Sequence, residues 1–188
     1  NAIAPERTRR IEKIIRANGA AFVDGSITGG PAWEAGGGTT LHLSGEDAPA
    51  VATLFEGSPF RTNIVSTQIG AASALKMVFA ANTKGTTALL SAILGVAEKE
   101  GVREHLQALW GEQFTRQTLR RVATNTAKAW RFVGEMEEIA ATFKDAGLSD
   151  GFHLAAADTY TRLAAFKDAE STPSIEAVLD ALLDSRRS

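Results

Sequence analysis

The chain has no cysteine among its 188 residues, and it has one tyrosine and two methionines. The absence of cysteine excludes disulfide bonds and thiolate metal ligands, and we expect a protein of the reducing cytoplasm. There is no excess of positive charge either, because the formal net charge is −2 and the isoelectric point about 6.0. Non-specific binding to nucleic acid or to anionic membranes requires a basic excess. We therefore expect neither as a partner.

Long hydrophobic runs are missing as well. The longest uncharged stretch of the central helical region, residues 85–97, is too short to cross a bilayer, which needs about 20 apolar residues. The N-terminal sequence NAIAPERTRR has no apolar segment typical of a signal peptide. His42, His105 and His153 lack the spacing of metal ligands, and no GxSxG or Cys/His motif accompanies them. We expect no membrane span, no metal and no nucleophilic catalysis.

The pattern of the remaining residues changes near residue 67. Before it, the sequence predicts helices at residues 5–17 and 47–55 and strands at residues 20–24, 39–44 and 60–66. After it, residues 71–100 form one long predicted helix, apolar almost all round in its first half, which we expect to be buried. Further helices are predicted at 102–110, 113–123, 126–146, 152–166 and 174–185.

These elements predict a mainly α fold with a small α/β piece at the N-terminus. Residues 1–67 make up the α/β piece, and residues 68–188 an all-α domain. Three short strands form an incomplete sheet, whose edges need pairing or cover. We therefore expect that an upstream part is missing or that a second chain completes the sheet.

Two glycine-rich segments raise the question of anion binding. GGPAWEAGGG does not fit a dinucleotide-binding loop, which follows a strand and opens a helix, because its last glycines lead into a strand. We interpret it as a turn between strands. In DGSITGG, Thr28 is followed by Gly29 and Gly30, and successive backbone N–H groups of this kind can hold a carboxylate or another oxyanion. The local pattern is equally compatible with a flexible connector.

Lys76 is an unusual residue in an apolar helix. At 100° per residue it shares its face with small and polar side chains, namely Ala72, Ser73, Ala80, Thr83 and Thr87. Such a face leaves space for a ligand, and burial would lower the pKa of the lysine towards values useful in acid–base catalysis. The alternative is a lysine that extends to the surface or pairs with a carboxylate. Lys84 lies about 80° off this face, where it either borders the pocket or is solvated.

Taken in order, these segments resemble the β-hydroxyacid dehydrogenase and 6-phosphogluconate dehydrogenase superfamily. DGSITGG is similar to its substrate motif, usually Asp-Ala-Pro-Val-Ser-Gly-Gly. GAASALKMVFAANTKG is similar to its catalytic-lysine helix, usually Gly-x-Gly-x-x-x-Lys-x-x-x-Asn. The helix, together with the later stretch GFHLAAADTYTRLAAFKD, most resembles the subgroup with a DUF1932 C-terminal domain.

The resemblance implies a fold and a reaction. It implies the tail of a Rossmann domain followed by an all-α domain that a long interdomain helix opens. We also expect a homodimer through the helical domain, because the central helix is long and apolar and the sheet is incomplete. The substrate would be a small hydroxy acid or a related carbonyl compound, and the cofactor NAD or NADP, bound mainly by an N-terminal half that this chain lacks. Thr28, Gly29 and Gly30 would bind the substrate carboxylate, Lys76 would be the general acid/base, and Asn1 would correspond to a residue near the nicotinamide.

We further expect Ser73, Thr83 and Lys84 to line the substrate pocket around Lys76. Two departures from the family pattern indicate altered substrate recognition. Ala80 stands where the family has asparagine, and the family's later Lys-Asp pair has no clear match in GEMEE, residues 134–138. Two alternatives stay open: a non-catalytic helical dimerisation module, and an enzyme similar to imine reductases, in which the key position often differs from lysine.

Overall fold

The computed structural model describes residues 2–33, 38–167 and 169–184. It divides into two compact units. The first comprises the residues up to Ala80 together with Ala141–Leu148, and the second comprises Ala81–Ala140 together with the residues from Ser149 onward. Compactness alone does not test the predicted domain boundary at residue 67, which stays a prediction.

The first unit is built around a three-stranded sheet. Its elements in chain order are α1 (Pro5–Ala17), β1 (Asp24–Thr28), β2 (Thr40–Ser44), α2 (Ala48–Thr53), β3 (Arg61–Ser66) and α3 (Ala71–Ala80). The strand order is β1-β2-β3, with β1 antiparallel and β3 parallel to the central strand. This is the small α/β piece that the sequence predicts.

The first strand lies further along the chain than predicted. The prediction placed it at residues 20–24, whereas β1 begins at Asp24 and ends at Thr28. Pairing with β2 starts at Asp24 and Ser44, and a strand is defined by such pairing and not by apolar composition. The segment DGSIT, which was expected to lead into a loop, is therefore itself the strand.

One face of the sheet is apolar. Side chains alternate between the two faces along a strand, and Leu41 and Leu43 of β2 are buried on the same side. They pack against the buried Ala48 at the start of α2. Partly buried apolar side chains complete this small core: Val23, Val51, Ala52, Phe55 and Phe60.

The other face of the sheet is polar. The residues that alternate with the buried leucines are paired across the strands by register, as Asp24 with Ser44, Ser26 with His42, and His42 with Asn63. α3 packs on the sheet through hydrogen bonds from this face. The polar face and α3 together position the candidate site.

The long central helix is interrupted. α3 is followed by a π-helical segment, Ala81–Gly85, and then by α4 (Thr86–Lys99). The predicted long helix over residues 71–100 is present as α3, the π segment and α4, and the change to π geometry was not predicted. Since a π turn rotates less per residue than an α turn, the 100° extrapolation from Lys76 to Thr83 and Thr87 does not hold across the segment.

The second unit is helical. It contains the π segment, α4, α5 (Arg103–Trp110), α6 (Glu112–Thr126), most of α7 (Ala129–Asp145), α8 (Gly151–Leu163), a short 3₁₀ turn at Ala164–Phe166 and α9 (Ile175–Leu183). Its most deeply buried large side chains come from five of these helices: Leu94, Val122, Met136, Ile139, Tyr160, Leu163, Val178 and Leu179. With this unit described, the predicted fold class, mainly α with a small α/β piece, is confirmed.

The expected burial of the first half of the central helix is only partly correct, because Met77 is fully buried but Val78 and Phe79 are about half exposed. In the second half Leu94 is fully buried, Leu89 is half exposed and Val96 is 62% exposed. The helix therefore carries more apolar side chains than the described part of the chain buries. No helix among the described residues combines the length and apolar character needed to cross a bilayer.

Candidate functional site

Lys76 lies on α3 and points to the end of β1. Its Nζ donates a hydrogen bond to the carbonyl oxygen of Ile27, 2.6 Å away. The side chain is half-buried, and through this hydrogen bond it reaches the end of the strand segment DGSIT.

The position of Lys76 is fixed by a buried carboxylate beneath the start of α3. Asp24 is 3% exposed. Its Oδ2 accepts hydrogen bonds from the Ser73 backbone N–H at 2.9 Å and from Ser44 Oγ at 3.1 Å, and its Oδ1 accepts one from Ser73 Oγ at 2.7 Å. This carboxylate ties the first turn of α3 to β1 and β2.

Ser73 was predicted to line the substrate pocket, and the structure gives its hydroxyl a different partner. The side chain is 4% exposed and hydrogen-bonded to Asp24. Neighbouring bonds have the same effect: Ser26 Oγ donates to the Ala72 carbonyl at 2.7 Å, and Ser44 Oγ accepts from the Ala72 N–H at 3.0 Å. Ser73 therefore anchors the helix that carries Lys76.

The loop after β1 contains the predicted oxyanion residues. Gly29 has a φ of 105°, and a Cβ atom there would lie 2.7 Å from the carbonyl oxygen of Gly38 and 2.9 Å from the Cα of Thr39. Only glycine fits such a close backbone approach. Thr39 Oγ1 donates to the Gly30 carbonyl at 2.6 Å, while a Cβ atom at Gly30 would meet no described atom within 4 Å. The loop is thus held at its base and open at Gly30.

Thr28 contacts a histidine that the sequence analysis left without a role. Thr28 Oγ1 lies 2.8 Å from His42 Nε2, and Asn63 Nδ2 lies 3.0 Å from His42 Nδ1. Burial, and secondarily the charge of Lys76, lowers the pKa of His42. The alternation in TTLHLSG already places His42 opposite the two leucines, but the register with DGSIT cannot be read from the sequence.

Thr83 and Lys84 belong to the π segment of the second unit. The sequence left Lys84 either bordering the pocket or solvated; in the structure its Nζ forms an ion pair with Glu135 and lies 4.7 Å from the centre of the Phe132 ring. Its charge is compensated within the helical unit. The predicted substrate contacts of Thr83 and Lys84 stay predictions.

Side chains from two other helices bind the backbone of the π segment. Tyr160 Oη donates to the carbonyl oxygen of Lys84 at 2.7 Å, and Arg121 Nη2 donates to the carbonyl oxygen of Thr83. Arg121 Nε also donates to Thr87 Oγ1 at 2.6 Å. Burial raises the pKa of Tyr160, which keeps the phenol protonated as a donor. These donors satisfy carbonyl groups that a regular α-helix would pair internally.

Of the remaining predicted positions, one is buried and one is outside the described residues. Ala80, where the family has asparagine, is 1% exposed, and a larger polar side chain there would need space and a partner. Asn1 lies outside the described residues. No group of three or more His, Cys, Asp or Glu side chains suited to a metal ion occurs in the part of the chain that the structure describes.

A dinucleotide does not fit the described residues. A pyrophosphate site of the usual type needs a strand, a glycine-rich turn and the N-terminus of a helix in direct succession. The glycine-rich stretch of this chain enters β2 instead, and four of its residues, 34–37, are not described. We therefore derive no step through a bound dinucleotide.

A family model and two solved structures are similar to this chain. Residues 94–163 match the model described as a domain of unknown function, DUF1932. No curated protein matches the chain. A conserved hypothetical protein from Sinorhizobium meliloti 1021 is 26% identical, with a TM-score of 0.75, over 99% of this chain and 64% of that one.

The second structure is a conserved protein of unknown function, described as structurally similar to 3-hydroxyacid dehydrogenases. It is 24% identical, with a TM-score of 0.63, over 87% of this chain and 64% of that one. The chain thus spans 64% of the length of each solved relative. The predicted resemblance to the DUF1932 subgroup is confirmed by the match over residues 94–163, and the fold is similar to that of both solved structures, one of which is described as similar to 3-hydroxyacid dehydrogenases.

Proposed function

We propose that this chain is the C-terminal part of an NAD(P)-dependent oxidoreductase that acts on a small hydroxy acid or a related carbonyl compound, with Lys76 as the general acid/base. The observation that carries the proposal is the hydrogen bond from Lys76 Nζ to the Ile27 carbonyl, because it brings the amine to the residue that precedes Thr28. The resemblance of both segments to the substrate motif and the catalytic-lysine helix supports the same roles.

Each residue has a distinct task in the proposed reaction. In the oxidation of a hydroxy acid, the neutral amine of Lys76 accepts the proton of the substrate hydroxyl, and in the reverse reaction the ammonium returns it. The Thr28 hydroxyl and the backbone N–H groups of Gly29 and Gly30 bind the substrate carboxylate. Ser73 and Asp24 hold α3, and therefore Lys76, in place.

A nicotinamide dinucleotide, when bound, supplies the hydride acceptor. Its main binding residues are not among those described, since no strand–glycine turn–helix succession is present there. Both solved relatives are longer than this chain. We propose that the dinucleotide binds to a part of the full-length protein that corresponds to the residues of these relatives outside the matched region.

Steady-state kinetics of the full-length protein test the role of Lys76. A panel of small hydroxy acids is screened with NAD and with NADP, and the Lys76→Ala variant is assayed on the substrate found. Loss of a general acid/base should lower kcat by about 10²–10⁴-fold. Lys13→Ala, at an exposed position of α1, is the matched control and should keep its kcat. An unchanged kcat in Lys76→Ala would refute the catalytic role.

A second candidate function is homodimerisation through the helical unit. A groove of about 410 Å³ is lined only by Ala92, Ile93, Val96, Ala97, Val102 and Leu106. α5, at its border, has no buried residue, and Leu109 on it is 85% exposed. Large exposed apolar patches mark interaction sites, and a two-fold interface places the same patch of each copy against the other. A second copy of the chain is therefore the proposed occupant.

A further inference from the structure

A row of three polar side chains crosses the sheet next to Lys76. Asn63 on β3 pairs with His42 on β2 by register, and Thr28 lies two residues beyond Ser26, the register partner of His42 in β1. Diagonal neighbours of this kind are within reach of a long side chain. The imidazole therefore spans from Asn63 Nδ2 at 3.0 Å to Thr28 Oγ1 at 2.8 Å.

The direction of these hydrogen bonds follows from the chemistry of the groups. The amide nitrogen of Asn63 can only donate, so Nδ1 of His42 accepts. A neutral imidazole carries one proton, which must then be on Nε2. Nε2–H therefore donates to Thr28 Oγ1. Burial keeps the pKa of His42 low, and the ring is neutral near neutral pH.

This arrangement determines what the Thr28 hydroxyl can do. Its oxygen is already an acceptor, so its own proton points elsewhere. Among the described residues no hydrogen bond from this hydroxyl to an acceptor is formed, and Lys76 Nζ lies at the carbonyl of the preceding residue. A hydroxyl held in this way is a donor prepared for an anionic oxygen.

We propose that His42, oriented by Asn63, is a positioning residue that keeps the Thr28 hydroxyl a hydrogen-bond donor to a carboxylate oxygen of the substrate. The inference rests on the proposed function, because it assigns the carboxylate of that substrate to Thr28. It adds two residues, His42 and Asn63, to the recognition of the anion. Neither residue touches the substrate, and both act through Thr28.

The tautomer of His42 is measured first, by histidine side-chain ¹⁵N NMR on the full-length protein. The expected result is a protonated Nε2 and an unprotonated Nδ1 above the pKa of the ring. The Nδ1–H tautomer would overturn the proposal. Asn63 would then accept from Nδ1–H through its amide oxygen, and Nε2 would accept a hydrogen bond from the Thr28 hydroxyl. This readout needs neither a substrate nor a cofactor.

Binding of 3-hydroxypropanoate is measured next, through the amide NMR signals of Gly29 and Gly30. In Asn63→Asp the carboxylate attracts the proton to Nδ1, so that Nε2 accepts from Thr28 and the donor to the ligand is lost. At about pH 9, where the imidazole is neutral, the dissociation constant should rise by about tenfold. His42→Gln, whose side-chain amide can replace Nε2–H, should stay within about threefold of wild type.

The outcomes separate the two proposals. Wild-type affinity in Asn63→Asp, or an Nδ1–H tautomer with binding intact, overturns the role of His42 and leaves the proposed function standing. Absence of any shift at Gly29 and Gly30 in the wild-type protein overturns the proposed carboxylate site itself, and the role of His42 with it.

Discussion

At the scale of single residues, Asp24 is the side chain on which the geometry of α3 depends. It is buried and accepts three hydrogen bonds, of which those from Ser73 N–H and Ser44 Oγ converge on the same oxygen. Asparagine removes the negative charge that strengthens all three bonds, and its NH₂ group can replace Oδ1 only if the Ser73 hydroxyl changes from donor to acceptor. Hydrogen bonds to a charged group contribute about 1.5–3 kcal/mol, more than those between neutral groups.

The Asp24→Asn variant should therefore lose about 2 kcal/mol of unfolding free energy, measured by urea denaturation. Asp47→Asn is the control, because Asp47 is exposed and forms no side-chain cap on α2. We expect its unfolding midpoint to equal that of the wild type. Equal midpoints for Asp24→Asn and the wild type would contradict the assigned role of Asp24.

Some of the candidate residues stand out in the sequence and others do not. Lys76 is a candidate because a charge among apolar and small neighbours is unusual, and Thr28 because two glycines follow it, and both roles stay predictions. The role of His42 depends on strand register, which brings together residues from three strands and leaves no local signal. Ser73 was assigned to a pocket because helical periodicity gives direction but not the hydrogen-bond partner, Asp24.

At the scale of elements, the π segment Ala81–Gly85 is the feature that periodicity did not predict. Its sequence, ANTKG, contains no proline, and its hydrophobic periodicity gives no sign of a change from α to π geometry. Arg121 and Tyr160 bind the carbonyl groups of Thr83 and Lys84. The start of β1 was not predicted either, because it is set by pairing with β2, a contact between residues distant in the sequence.

Removal of the Arg121 guanidinium should destabilise the π segment. Arg121→Met keeps the length of the side chain but loses the bonds to Thr83 and Thr87, and we expect a loss of about 2 kcal/mol in unfolding free energy. Amide hydrogen exchange of residues 81–90 should become faster. Arg120→Met, at an exposed neighbouring position, should change neither quantity. Unaltered exchange in Arg121→Met would show that the segment does not depend on these donors.

At the scale of the whole molecule, exposed apolar surface on the helical unit predicts self-association. Val96 is 62% exposed and lines the apolar groove. A glutamate there would be buried without a partner in the proposed dimer, so Val96→Glu should sediment as a monomer where the wild type sediments as a dimer. Gln117→Glu adds the same charge at an exposed position of α6 and should remain dimeric. A wild-type protein that sediments as a monomer would rule out the dimer.

The central proposal is that Lys76 transfers a proton in the proposed reaction, and chemical rescue of the Lys76→Ala variant of the full-length protein tests it most directly. Turnover of the hydroxy acid found in the screen is followed with added alkylamines of different pKa, against tetramethylammonium at equal ionic strength. A small amine should enter the space left by the side chain and restore part of kcat, with a rate that depends on amine basicity, as expected for general acid–base catalysis. Equal rates with the amines and with tetramethylammonium, which has no proton to transfer, would contradict the account.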